Sequence, residues 1–192
     1  FGFEPRIRIS DRWFFIYEFN FDYNPKQRGV VRKDGAVIYE NNRILYSKRN
    51  RRTVTNEISM EFLFTRNMGI DFRMRHYWST VYVDSYHQLL DDGLLTEATY
   101  AGLDNDGLRL HDQNYNAFTI DFVYSWIFAP GSELNLTWKQ SIYSSGSNYE
   151  NNFVRNTKDV FNQPMTNSLS LKILYYLDVL YFKKKNRKQK NL

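Results

Sequence analysis

The chain has no cysteine, so disulfides, thiolate chemistry and cysteine-bound zinc are all excluded. Proline occurs 4 times and glycine 9 times in 192 residues, so the chain is not a loop-rich or low-complexity sequence. No run of about 18 apolar residues is present, and none of the sequence reads as a transmembrane helix. Helical periodicity is scarce as well. No signal-peptide pattern is read in these residues, and the first of them is Phe1 rather than Met. A strand-like pattern starts at once, which leads us to expect a C-terminal piece of a longer or processed chain.

What the chain has is aromatic residues, 18% of the total, within a sequence of mean hydropathy −0.61. Its net charge of +5 is concentrated at one end. Residues 183–192 hold six basic residues and no acidic one, which leaves residues 1–182 at −1.

Alternation with period 2 runs through seven segments, the signature of strands with two unlike faces. They are 1–10, 12–23, 53–65, 69–84, 116–128, 134–143 and 168–182. In the fifth, Phe118, Ile120, Phe122, Tyr124, Trp126 and Phe128 share one face, and Thr119, Asp121 and Ser125 fall on the other. In the third, Val54, Ile58, Met60, Phe62 and Phe64 oppose Thr55, Glu57, Ser59 and Glu61. The connections alternate between tight (10–11, 67–69, 129–133) and long (24–52, 85–115, 144–165). Within the first long connection, "GAVIYENNRILYSKR" has the look of a hairpin turning at "ENN".

Two architectures fit alternation alone. A soluble β-sandwich or lipocalin-like barrel would turn the apolar faces inward. A membrane barrel would turn them to lipid, with short turns on the periplasmic rim and long loops outside. Three features favour the membrane barrel. The strands are long enough to span a bilayer when tilted. Trp and Tyr cluster near strand ends, as an interfacial girdle requires: Trp13, Tyr23, Trp78, Tyr82, Trp126, Trp138 and Tyr181. The loops alternate in length. The fold expected is therefore all-β: an antiparallel up-and-down transmembrane β-barrel, represented by about seven to eight strands from the C-terminal part of a larger barrel. Residues 1–182 form the wall, and 183–192 form a basic periplasmic tail.

With these strands placed, the chain resembles a known family. The residues that carry the likeness are "RNRRTVTN" (49–56), "RHYWS" (75–79), "DFVYSWIFAPGSELNLTWKQSIY" (121–143) and "NSLSLKILYYLDVLYFKKK" (167–185). The family comprises large outer-membrane proteins of Bacteroidota, of unknown function. They often carry an N-terminal domain like carbohydrate-binding-module family 9. The resemblance implies a bacterial outer-membrane location and a barrel fold, and it carries over no catalytic residue.

Charged side chains on the polar faces form the one candidate site, a lumen cluster of Arg6, Arg8, Glu57, Glu61, Asp71, Arg73 and Arg75. The four arginines would attract anionic solutes. Alternatively, and preferably, they pair across strands with Glu18, Asp22, Glu57 and Glu61. The lipid-interface aromatics expected are Trp13, Trp78, Trp126, Trp138 and Tyr181. Glu57 and Glu61 lie four residues apart, about 13 Å along a strand, too far for a glycosidase pair. His76, His87 and His111 are scattered, without metal-ligand spacing, and "DNDG" (104–107) reads as a turn, since a calcium loop would need a closing Glu.

No catalytic residue, cofactor or metal is expected, and the chain is read as non-enzymatic. It would be a pore, a transport-related barrel or a surface anchor, linked to glycan handling through a missing N-terminal module. The alternatives are a plugged structural barrel within an outer-membrane complex and a soluble β-barrel binder. The partners expected are outer-membrane lipid or lipopolysaccharide, the remaining strands of a longer chain or other outer-membrane proteins, and a glycan. No nucleic acid is expected, because the tail would lie in the periplasm.

Overall fold

The structure, a computed structural model, describes residues 1–177. Tyr181 and the basic tail lie outside the described residues. The strands are β1 (Gly2–Phe3), β2 (Arg6–Ser10), β3 (Trp13–Val30), β4 (Arg32–Lys33), β5 (Ala36–Val37), β6 (Tyr39–Glu40), β7 (Arg43–Thr65), β8 (Met68–Leu89), β9 (Leu95–Glu97), β10 (Gln113–Ala129), β11 (Ser132–Gly146) and β12 (Met165–Leu174). One helix among the described residues, α1 (Phe153–Phe161), lies between β11 and β12.

The main sheet is antiparallel throughout, in the order β1-β3-β7-β8-β10-β11-β12. β2 pairs with the same edge of β3 as β1, further along it. Between them lies Pro5, which has no N–H to donate, and its carbonyl accepts Tyr17 N at 3.1 Å. Proline is tolerated there because the edge leaves its nitrogen without a ladder partner. Each long strand pairs with the next one in the chain, so the sheet is an up-and-down meander. β1/β2 and β12 form its two edges and are not paired with each other among the described residues. No closed barrel forms among the described residues.

Tight turns at 11–12, 66–67 and 130–131 gather on one rim, and the longer connections 31–42, 90–112 and 147–164 on the other. Gly131, after Pro130, has φ +72°, a conformation that a side chain would disfavour. The hairpin expected near "ENN" is present: β6 turns into β7 through Asn41 and Asn42, both with positive φ (53° and 61°).

Five strands exceed the expected lengths, whereas the expected segment 1–10 splits into β1 and β2, and the strand expected over 168–182 is observed as β12, ending at Leu174. β3 and β7 occupy most of 24–52, which the sequence marks as a connection, and β7 alone has 23 residues. The cause is irregular pairing. The β3–β7 register shifts between Asn24 and Gln27, where Lys26 has φ 58°, and the β7–β8 register shifts opposite Lys48 and Arg49, where β8 carries the extra residue Asp84. Each bulge breaks the alternation by which a strand is recognised. β8 and β10 likewise enter 85–115, and α1 and the end of β11 occupy part of 144–165.

The two faces of the sheet differ sharply. On the apolar face Trp13, Phe62, Ile70, Tyr124, Leu136 and Leu171 stand in cross-strand neighbourhood. Toward the long-connection rim α1 packs on this face and closes a small core of Phe118, Ile142 and Val160, with Met74 and Ile120 against it. Below the helix no described element covers the apolar face; Trp13 is 39% exposed, Trp126 42% and Leu171 59%.

Candidate functional site

The opposite face carries the charge. Register puts all seven residues of the expected cluster on it: Arg6 and Arg8 of β2, Glu57 and Glu61 of β7, and Asp71, Arg73 and Arg75 of β8. Glu57 and Arg75 are direct cross-strand partners, and Arg75 Nε donates to Glu57 Oε2 at 2.7 Å. Arg73 reaches the other way, to Asp121 of β10 at 3.5 Å. Lys139 of β11 approaches the same carboxylate at 3.4 Å, so Asp121 sits between two cations. Lys172 of β12 faces Glu133 at 3.7 Å. Ion pairs thus cross from β7 to β12.

Arg6 and Arg8 do not join this network. Their cross-strand neighbours are Ile16 and Phe14, which offer no carboxylate. Arg6 instead holds Glu4, two residues away on its own edge, at 2.7 Å, and Arg8 holds Asp11 in the turn at 3.0 Å. The pairing expected with Glu18, Asp22, Glu57 and Glu61 therefore holds for Arg75 alone. Two acidic pairs stand directly opposite each other on this face, Glu18 with Glu57 and Glu61 with Asp71. Such pairs repel unless cations stand beside them. Arg75 relieves the first pair. Glu61, Asp71 and Arg73 border one hollow of about 370 Å³.

Of the aromatics expected at a lipid interface, Trp13 and Trp126 are exposed beside the tight-turn rim. Trp138 lies on the apolar face further up, opposite Phe122, and its Nε1 donates to Asn167 Oδ1 at 3.1 Å. Trp78 corrects the expectation, because it is only 2% exposed. Phe153 of α1 lies over it at 5.9 Å, the Arg52 guanidinium stacks on it at 4.5 Å, and its Nε1 donates to Asn114 Oδ1 at 2.7 Å.

The contact between α1 and the sheet has no counterpart among the expectations from sequence. Asn156 is 1% exposed and exchanges amide hydrogen bonds with Asn116: Asn156 Nδ2 donates at 2.7 Å and Asn116 Nδ2 donates back at 2.9 Å. Asn114 adds a bond to Asn156 at 3.2 Å, and His76 Nε2 lies 3.1 Å from Asn116 Oδ1. His76 is therefore a buried histidine whose partner is an amide. The available signal was Asn114 and Asn116 at positions of β10 where alternation calls for apolar residues. They mark the level at which this face stops being apolar and is covered instead.

The long connections are tied to each other. Glu40 of β6 accepts from the Thr99 hydroxyl and from Gln88 of β8, and these bonds hold its carboxyl below the usual range, Thr99 most strongly. Asp112 is 2% exposed, accepts Val83 N at 2.9 Å and pairs with Arg109 at 2.7 Å. Asp104, in the "DNDG" turn, accepts from the backbone of Asp106 and Leu108 at 2.9 and 2.8 Å, so its carboxylate serves the turn itself. His87 bonds Ser85 at 2.9 Å. Among the described residues no group of three or more His, Asp or Glu side chains is arranged to hold a metal ion.

The family pattern described as "Domain of unknown function (DUF5916)" matches residues 1–186. The chain belongs to this family. No curated protein matches the chain, and no solved structure does. The DUF5916 match takes in every strand of the sheet, with α1 and the long connections.

Proposed function

We propose that this chain forms part of the wall of an outer-membrane β-barrel and acts there without catalysis, as a pore or transport-related wall or as a surface anchor. The observation that carries this reading is the contrast between the faces. A broad apolar band lies bare below α1, and behind it ion pairs cross from strand to strand. In a soluble sandwich the band would need a second sheet. In a bilayer, lipid covers it and the charged face turns to a water-filled interior.

The dimensions support the same reading. On β3 the band runs from Trp13 to Tyr23, ten residue steps, about 33 Å along a strand and about 25 Å of height at a tilt of about 40°. The tight turns would face the periplasm and the long connections the outside, and β12 would run back toward the periplasm. The likeness of 75–79 and 121–143 to Bacteroidota outer-membrane proteins adds support, and with it a link to glycans through a carbohydrate-binding module elsewhere in the protein. The two free sheet edges would pair with further strands of a longer chain or with other outer-membrane proteins. Lipid or lipopolysaccharide would surround the band.

The test contrasts adjacent residues on opposite faces. Phe122 lies opposite Phe72 and Trp138, in the middle of the band. Phe122→Arg puts a cation into lipid at a cost of about 2–4 kcal/mol. Asp121→Asn removes partly screened ion pairs and costs about 1 kcal/mol or less. We expect heat-modifiable protein in outer-membrane fractions to fall sharply for Phe122→Arg and to stay near wild type for Asp121→Asn. Equal tolerance of both, with a chain that needs no detergent, would count against the barrel.

A further inference from the structure

We propose that the polar face, between its ion pairs and the long connections, is a binding site for an acidic oligosaccharide of uronate type. The proposal rests on the reading above, in which this face borders water inside a barrel.

Register supplies the first observation. Tyr77 of β8 and Tyr143 of β11 are both cross-strand partners of one residue, Ala117 of β10. The two tyrosines are therefore two strand spacings apart, about 9.6 Å, with only a methyl group between them. Tyr115, two residues along β10, meets Tyr77 edge-on at 6.0 Å. Tyr115 is 40% exposed and Tyr143 60%. Their neighbours on this face, Ser79, Thr119 and Ser141, carry hydroxyls. Rings in such a wall offer flat apolar surface, and the hydroxyls around them both donate and accept. A sugar presents C–H faces and hydroxyls in the same alternation.

Charge supplies the second. On β7, β8, β10 and β11 this face carries no Asp or Glu beyond Glu57 and Asp121 in the direction of the long connections. It does carry Arg49 and Arg51. With Ser79, Gln113 and Tyr115 they border a hollow of about 260 Å³. Neither arginine forms an ion pair among the described residues, whereas Arg73 and Arg75 both do. Arg51 Nη2 lies 3.3 Å from the Tyr77 hydroxyl, so cation and ring share one surface. A neutral sugar would leave both guanidinium groups without a counter-charge. A small inorganic anion would leave the tyrosine slot unused. A saccharide with carboxylates uses both, since a guanidinium fork matches a carboxylate.

The test titrates the full-length protein in detergent micelles with tri-galacturonic acid and, separately, with the neutral trisaccharide maltotriose, by calorimetry. We expect saturable binding of the acidic sugar that weakens with added salt, and much weaker binding of maltotriose. Tyr143→Ala and Arg51→Gln are each expected to weaken the acidic ligand by about tenfold or more. Equal binding of the two sugars, no saturable binding of either, or unchanged binding in both variants overturns the site. Heat-modifiable mobility of the same preparation keeps the two readings apart. A correctly folded barrel that does not bind counts against the site alone. A chain that is monodisperse without detergent counts against the barrel, and the same titration in buffer still decides the site.

Discussion

His111 lies in the 98–112 connection with its Nε2 2.7 Å from the Tyr100 hydroxyl and its ring 5.7 Å from Tyr86. Burial holds its pKa below the ordinary value of 6.5, and the nearby Lys33 cation pushes the same way. The folded connection therefore prefers the neutral ring. Above pH 6.5 both folded and unfolded forms are neutral and no penalty exists. As the pH falls below 6.5 the unfolded form takes up a proton first, and the folded connection loses stability until its own histidine is charged. We expect trypsin cleavage at Arg109 to accelerate between pH 6.5 and 5, after correction for trypsin's own pH profile. His111→Gln should flatten that dependence. Gly102 adjoins the same cluster with φ +68°, and a Cβ there would collide with the Tyr86 ring, so this packing also requires a glycine.

At the scale of elements, α1 has only nine residues, and an isolated helix of that length is marginal in water. It persists because Asn152 caps its first turn, accepting Arg155 N at 3.0 Å, and because Val160 and Asn156 dock on the sheet. Val160→Asp would bury an unpaired carboxylate at about 3 kcal/mol or more. We expect hydrogen exchange to rise across 153–161 while the β8–β10 ladder stays protected; an equal loss in both would mean that the helix and sheet unfold as one unit. The same helix shows how much the sequence could say. The six long strands and their faces were legible because Phe118 to Trp126, or Ile58 to Phe62, keep alternation over a sheet with unlike sides. α1 was not, because Arg155, Thr157, Lys158 and Asp159 leave only a few apolar positions with helical spacing. The extensions of β3 and β8 were hidden by the bulges at Lys26 and Asp84. The charged face was legible by residue type, but its partners depend on register: Arg75 meets Glu57, while Arg6 and Arg8 meet Ile16 and Phe14.

At the scale of the whole molecule, the proposed bilayer setting makes a statement about four tryptophans at once. Trp13 and Trp126 lie at one rim of the apolar band, Trp138 within it, and Trp78 beneath α1. In vesicles of brominated lipid, single-tryptophan variants should separate by depth. Bromine near the headgroups should quench Trp13 and Trp126, bromine deeper in the chains should quench Trp138, and Trp78 should be spared. Quenching of Trp78 equal to that of Trp138 would mean that α1 does not cover it, and no quenching anywhere would take lipid away from this face. The meander order has a further consequence. Every long strand pairs with the next long strand in the chain, so each hairpin closes a local loop, the longest of them residues 90–112, and the sheet can zip up one strand at a time. The backbone rows of β1/β2 and β12 cannot be satisfied in that way. In the proposed barrel the first and last strands of the wall lie far apart in the chain, so closing that seam is the step with the greatest loop entropy and the slowest clock.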